Sequence, residues 1–185
     1  SIIHKNVKIH SSAIIGENVS IGSNSIIESN CNIQSGSVLG ENVIVRSNTI
    51  IGCDGFGYEK DKDGCNIKFP HLGKVIVNNN VEIGSLCSIA RGTLDNTIIN
   101  QGVKIDNHVY IAHNVLVGKN SMLMSGSKVN GSVKIGKNCW IGTGAMIREG
   151  VSVSDNTIVG MGSVVVKNIN EESTVVGNPA RQVEG

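Results

Sequence analysis

The chain has few aromatic side chains: one Trp, two Tyr and two Phe in 185 residues, or 3%. Compact globules ordinarily build their cores around such rings. Here the interior has to come from Ile and Val, which favour strands. Only two prolines occur, against 23 glycines, a profile of neither collagen nor a Pro-rich disordered segment. Cys31, Cys53, Cys65, Cys87 and Cys139 are odd in number, widely spread and without a CxxC pair. That argues against a disulfide framework and against a thiolate zinc site, and a reducing, cytoplasmic setting fits it. Charge is nearly balanced, 16 basic against 15 acidic side chains for a net +1, with no basic block. Neither nucleic acid nor an anionic membrane surface is an expected partner. No stretch approaches the ~18 apolar residues of a membrane span, and no signal peptide opens the sequence.

What the chain does have is a repeat. Every sixth residue from Ile9 is aliphatic, through Ile15, Ile21, Ile27, Ile33, Leu39 and Val45 to Ile51. The series restarts as Val77, Ile83 and Ile89. It restarts again at Ile99 and runs unbroken for twelve members to Val165. A period of six suits neither a helix nor a simple alternating strand. It suits a parallel β-helix in which each hexad gives one short strand and one turn. The aliphatic residue points into a prism. The residue after it is often Gly, as in Ile15-Gly16 and Ile141-Gly142, because a side chain would crowd the turn. Three hexads make a coil of eighteen residues. The 23 hexads give about eight coils, a prism roughly 35–40 Å long at the ~4.8 Å strand spacing.

The pattern resembles the hexapeptide-repeat acyltransferases, and the resemblance covers nearly the whole chain. It implies an all-β fold, a left-handed parallel β-helix over residues 1–168, with a loop inserted at 53–74 and an extended tail over 169–185. It also implies a homotrimer with active sites in the clefts between neighbouring prisms.

The repeat breaks twice. Residues 52–74, GCDGFGYEKDKDGCNIKFPHLGK, are polar and Gly-rich and concentrate Phe56, Tyr58, Phe69 and His71. Loops on rigid scaffolds often carry function, so Phe56 and Tyr58 are candidates for a wall against a sugar or base, and His71 for a substrate contact. The alternative is a tolerated surface insertion. The second break is a step of ten between Ile89 and Ile99, read as a turn extended by four residues and capped by Asp or Asn.

Five of the residues offer imidazoles, and two of these, His108 and His113, lie in IDNHVYIAHNV, residues 105–115. His113 follows Ile111 by two and so sits at an outward corner. Eighteen residues on, one coil away, is Gly131, and a second coil brings Glu149. An imidazole titrates near neutrality and can act as a general base. A glycine N–H without a side chain beside it can hold an oxyanion. This column suits acyl transfer from a thioester, whose thiolate leaves readily. Asp106 and Asn107, one hexad earlier, are candidates to orient the site. For His108 the bland reading, a turn residue, is preferred.

DGFGY (54–58), FPHLGKVI (69–76), VEIG (81–84), RGTLDNTII (91–99) and IDNHVYIAHNV resemble the core of the UDP-3-O-acyl-glucosamine N-acyltransferases. That resemblance implies His113 as base and Gly131 as oxyanion donor. Where that family has a second active-site His, this chain has Glu149-Gly150. GNPAR, residues 177–181, is similar to the closing segment of coenzyme-A-using hexapeptide acetyltransferases. It implies acyl-CoA as co-substrate, with Gly142, Gly160, Pro179 and Arg181 expected to hold it and no metal expected. The expected acceptor is the amine of a nucleotide-linked amino sugar, as in the shorter nucleotide-sugar N-acyltransferases. Two alternatives stand beside this. One is a fragment of the lipid A pathway enzyme using an acyl carrier protein. The other is a zinc protein like the γ-carbonic anhydrases, with His71, His108 and His113 as ligands.

Overall fold

A computed structural model describes residues 1–183 as a left-handed β-helix built of short strands, with no helix among the described residues. Three parallel sheets form the faces of a triangular prism. The first face begins with Ile2–Ile3, the second with Lys8–Ile9 and the third with Ile14–Ile15, and each later coil adds one strand to each. Register advances by eighteen residues, as in Ile98↔Leu116 on the first face and Tyr110↔Lys128 on the third. The prism holds slightly more than the eight coils expected. The first and third faces have eight strands, but the second has ten. Thr174–Gly177 pairs parallel with the last regular strand of that face, and Ala180–Gln182 folds back antiparallel on it through a cis Asn178–Pro179 bond.

Two residues per hexad are buried: the aliphatic one and the residue two before it, as in Val19 and Ile21 or Val43 and Val45. Ile21, Ile33, Leu39, Ile51, Ile83, Ile111, Leu123 and Ile141 are fully buried or nearly so, each worth about 1.5–3 kcal/mol of burial. Glycine after the aliphatic position answers to crowding from the next coil. A Cβ on Gly22 would stand 2.5 Å from the Gly40 carbonyl carbon, and one on Gly84 2.5 Å from that of Asp106. The turn itself is made two residues later, where Asn18, Asn24, Asn48, Asn114, Asn120 and Asn138 hold φ of 54–63°. Asn tolerates this left-handed conformation better than other side chains, which accounts for the recurrent Asn in the sequence.

Both breaks in the repeat emerge at the corner between the third and first faces. The insertion leaves after the strand Ile50–Cys53 and returns at Val75–Val77, with an antiparallel hairpin of Tyr58–Lys60 and Asn66–Lys68 between. The smaller extension leaves after Ser88–Ala90 and returns at Thr97–Ile99. One coil further on, the same corner carries His113.

Candidate active site

His113 is half-buried between Tyr110–Ile111 and Leu116–Val117. Its Nδ1 lies 3.0 Å from Asn114 Oδ1. That oxygen also accepts from the Thr93 backbone N–H at 3.1 Å and from the Thr93 hydroxyl at 2.9 Å. A backbone N–H can only donate, so the Asn114 atom facing it is the amide oxygen. His113 Nδ1 must then carry a proton, and the neutral ring keeps its lone pair on Nε2. Asn114 is itself fixed from the extended turn: its backbone N–H donates to Thr97 Oγ1 at 2.9 Å and its Nδ2 to the Asp95 carbonyl at 3.5 Å. The turn extension thus sets the tautomer of His113.

The Nε2 edge of the ring lies over Gly131. A Cβ there would be 2.7 Å from His113 Cε1 and 2.8 Å from Nε2. At this position in some coils the N–H donates to a side chain of the next coil: Glu17 to Ser35 Oγ, Ser85 to Asn107 Oδ1, Lys137 to Asp155 Oδ1. The Gly131 N–H has no such partner among the described residues, and Glu149, one coil on, is exposed. An unpaired backbone donor beside an imidazole with a free lone pair can serve a developing oxyanion.

The insertion closes over this column. His71 is buried, with ring centroid 5.6 Å from that of His113. Gly55 fits between them. Beside them Lys68 Nζ sits 2.6 Å from Asp54 Oδ2, and this hydrogen bond holds the Asp54 carboxyl below the usual carboxylate range. Arg91 anchors the base of the insertion, donating to the Gly52 and Ser35 carbonyls at 2.7 Å each. Phe56 is 83% exposed and tilted against Tyr58 at 5.0 Å between centroids, an aromatic face open to solvent.

Other sequence candidates lie elsewhere. Asp106 and Asn107 occupy the corner between the second and third faces, one side of the triangle before His113. There Asp106 accepts from the Asn107 and Ser125 backbone N–H groups and Asn107 from that of Ser85. His108, beside them, is exposed with φ of 59° in a slot usually filled by Asn. It does not join His71 and His113, and no cluster of three potential metal ligands forms among the described residues. Gly142 and Gly160 share that second corner, where a Cβ would press on Met161 and Val176 respectively. Pro179 and Arg181 belong to the closing hairpin, Arg181 opposite Val176. Asn114, Thr93 and Gly55 were not singled out in the sequence. Asn114 fills a slot that Asn fills throughout the prism, so only its position next to His113 marked it.

Residues 1–34 and 132–167 match the profile of the family described as bacterial transferase hexapeptide (six repeats). Over those residues the chain carries the hexapeptide repeat of that family. This hexapeptide-repeat chain is 56% identical over 133 residues to the UDP-3-O-acylglucosamine N-acyltransferase of Desulfotalea psychrophila, covering 72% of the chain and 39% of that protein. A second protein of that name, from Legionella pneumophila, is 57% identical over 129 residues, 70% and 37% of the two chains. One from Francisella tularensis is 54% identical over 72 residues, 39% of this chain and 21% of that protein. The chain thus spans about a fifth to two fifths of these curated relatives. Among solved structures, the UDP-N-acetylglucosamine acyltransferase of Campylobacter jejuni superposes with a TM-score of 0.80 at 23% identity, over 98% of this chain and 73% of that one. That of Francisella novicida gives 0.79 at 24%, over 95% and 64%. At that identity these two likenesses concern the fold alone.

Proposed function

We propose that the chain transfers an acyl group from a thioester to the amine of a nucleotide-linked amino sugar, of the UDP-3-O-acylglucosamine type named in its relatives. The observation that carries this reading is the fixed tautomer of His113. Asn114 Oδ1 accepts a hydrogen bond from Nδ1–H, and the free Nε2 lies beside the unpaired Gly131 N–H. The amine attacks the thioester carbonyl while Nε2 accepts the proton it sheds. The Gly131 N–H stabilises the negative oxygen of the tetrahedral intermediate. Collapse expels the thiolate, which the His113 imidazolium can protonate, leaving an amide and a free thiol.

Phe56 and Tyr58 offer a stacking face for the nucleotide base or sugar, and Glu149 stands one coil along for the acceptor. Acyl-CoA remains the favoured donor, held by Gly142, Gly160, Pro179 and Arg181, with an acyl carrier protein as the alternative. These lie away from the His113 corner of their own chain, as do Asp106 and Asn107, so a homotrimer would supply them from the neighbouring prism. The first face supports such packing. Val38, Ile76, Ile98 and Leu116 align in register on its outer side, next to the His113 corner. A reducing cytoplasm suits the donor and the five free thiols.

The test is thiol release from a panel of acyl-CoA and acyl carrier protein donors with UDP-linked amino sugars. Release should depend on the sugar and fall at least about a hundredfold in His113→Ala. Release from no donor in the panel, or full activity in His113→Ala, would overturn the proposal.

A further inference from the structure

His113 shares its slot with a second imidazole. His71, from the insertion, is 6% exposed and stands edge-on to it, the ring planes at 66°. Two glycines make room. A Cβ on Gly55 would be 2.7 Å from His71 Nε2 and 2.9 Å from His113 Cδ2, and one on Gly57 would be 3.0 Å from His71 Cε1. So His71 Nε2 and the Cβ–Cδ2 edge of His113 flank the same point. His71 Nδ1 lies 3.1 Å from the Phe69 carbonyl oxygen, which only accepts, so Nδ1 carries a proton. In the neutral ring Nε2 is then a bare lone pair. It is buried without a hydrogen-bond partner among the described residues. A buried acceptor with no donor is unfavourable in the resting state, and such an atom in a functional cleft calls for an explanation.

We infer that His71 is a positioning residue that strengthens His113 as a base. Its Nε2 stands across the Gly55 gap from the ring edge that becomes positive when His113 is protonated. The inference rests on His113 being the proton acceptor of the proposed reaction. When His113 Nε2 takes the amine proton, the positive charge spreads over the whole ring, including its Cδ2–H. The negative end of the His71 dipole then faces that edge across the Gly55 gap, and His71 Nε2 is itself buried, where such interactions are strong. His71 itself gains and loses no proton. His71 thus stabilises the imidazolium form that His113 takes during the reaction. The charged groups on the segments packed around the pair are Asp54 with Lys68 and Arg91 on the His71 side, Asp95 on the shorter extension beside Asn114, and Glu149 on the Gly131 side. Asn114 and Gly131 bring no charge.

The experiment is a histidine NMR titration of the whole chain, wild type against His71→Phe and His71→Gln, paired with the pH dependence of kcat/KM for thiol release. Wild-type His71 should be neutral and protonated on Nδ1 at pH 7. In His71→Phe the His113 midpoint should fall, and the acid limb of kcat/KM should move to lower pH with it. His71→Gln, whose side-chain oxygen can stand near the Nε2 position, should keep most of the wild-type midpoint. A role in packing alone would lower the melting temperature or the rate and leave the midpoint in place, which would overturn the inference. A rise of the midpoint in His71→Phe would do so too, because it would make His71 a competing cation. Should His71→Phe fail to fold, the wild-type tautomer and His71→Gln decide, and a wild-type His71 protonated on Nε2 sinks the idea. The NMR arm needs no substrate. A moved midpoint without thiol release therefore supports the pairing while removing the proposed reaction, and an active enzyme with an unmoved midpoint does the reverse.

Discussion

Gly131→Ala should separate catalysis from folding. The glycine does not hold a left-handed φ, so alanine suits its backbone and even narrows the unfolded ensemble, worth about 0.4–1 kcal/mol. The added methyl, however, would sit 2.7 Å from His113 Cε1 and 2.8 Å from Nε2. Carbon atoms in contact prefer about 3.5–4.0 Å, so the imidazole must retreat by roughly 1 Å. It would draw Nε2 away from the acceptor's path and strain the hydrogen bond from Nδ1 to Asn114. A misplacement of about 1 Å at a reacting group can lower the rate about a hundredfold, or about 2.7 kcal/mol of barrier. The assay is steady-state thiol release with the donor and sugar that give the highest wild-type rate, alongside thermal melts followed by circular dichroism. The expected outcome is about a hundredfold loss in kcat/KM with a melting temperature within a few degrees of wild type. The His113→Ala background supplies the control. There the methyl has no ring to displace, and Gly131→Ala should cost less than about threefold further. Losses that simply multiply in the double variant, or a single variant within about threefold of wild type, would refute the idea that Gly131 is small for the sake of His113.

Two more outcomes follow from the same geometry. Asn114→Gly keeps a residue suited to φ of 60° but removes the acceptor that fixes the Nδ1 proton. Activity should drop about tenfold or more, beyond the loss of about 1–3 kcal/mol of stability expected from freeing the Thr93 groups that Asn114 Oδ1 accepts from, as measured by thiol release and urea melts. Cys31, Cys87 and Cys139 are buried, and burial pushes their thiols up from the ordinary range, whereas Cys65 is exposed on the insertion hairpin. An aromatic disulfide reagent at pH 8 should therefore label Cys65 first and these three only on unfolding, with mass spectrometry giving the sites. Rapid native labelling of Cys87 would contradict its place in the core.

The prism was readable because its rule is simple: one aliphatic side chain per strand, six residues apart. The His113–Gly131 column was readable for a related reason. No insertion lies between the two residues, so eighteen positions in sequence remain one coil in space. The pairing of His71 with His113 had no such ruler, since the insertion erases the register between Ile51 and Val77. Asp106 and Asn107 show the converse. They are close to His113 in sequence, but one hexad is a full side of the triangle, and they stand at another corner capping turns. Asn114 was hidden by its own regularity, because the fold asks for Asn in that slot whether or not chemistry does.

The position of the two breaks is the strongest structural reason to place function at this corner. A prism of stacked coils can accept an insertion at any turn, since each coil touches only its neighbours. Here both insertions leave the same corner in consecutive coils, and His113 occupies that corner in the next. The longer one brings His71 and Gly55 against the imidazole, and the shorter one brings Thr93 and Thr97 to Asn114. Their hydrogen bonds also tie them to each other, Leu72 N–H to the Thr93 carbonyl and Gly73 N–H to that of Gly92. Surface insertions tolerated at random would have no reason to converge on one side chain and fix its tautomer. Insertions that build the surroundings of a proton acceptor would.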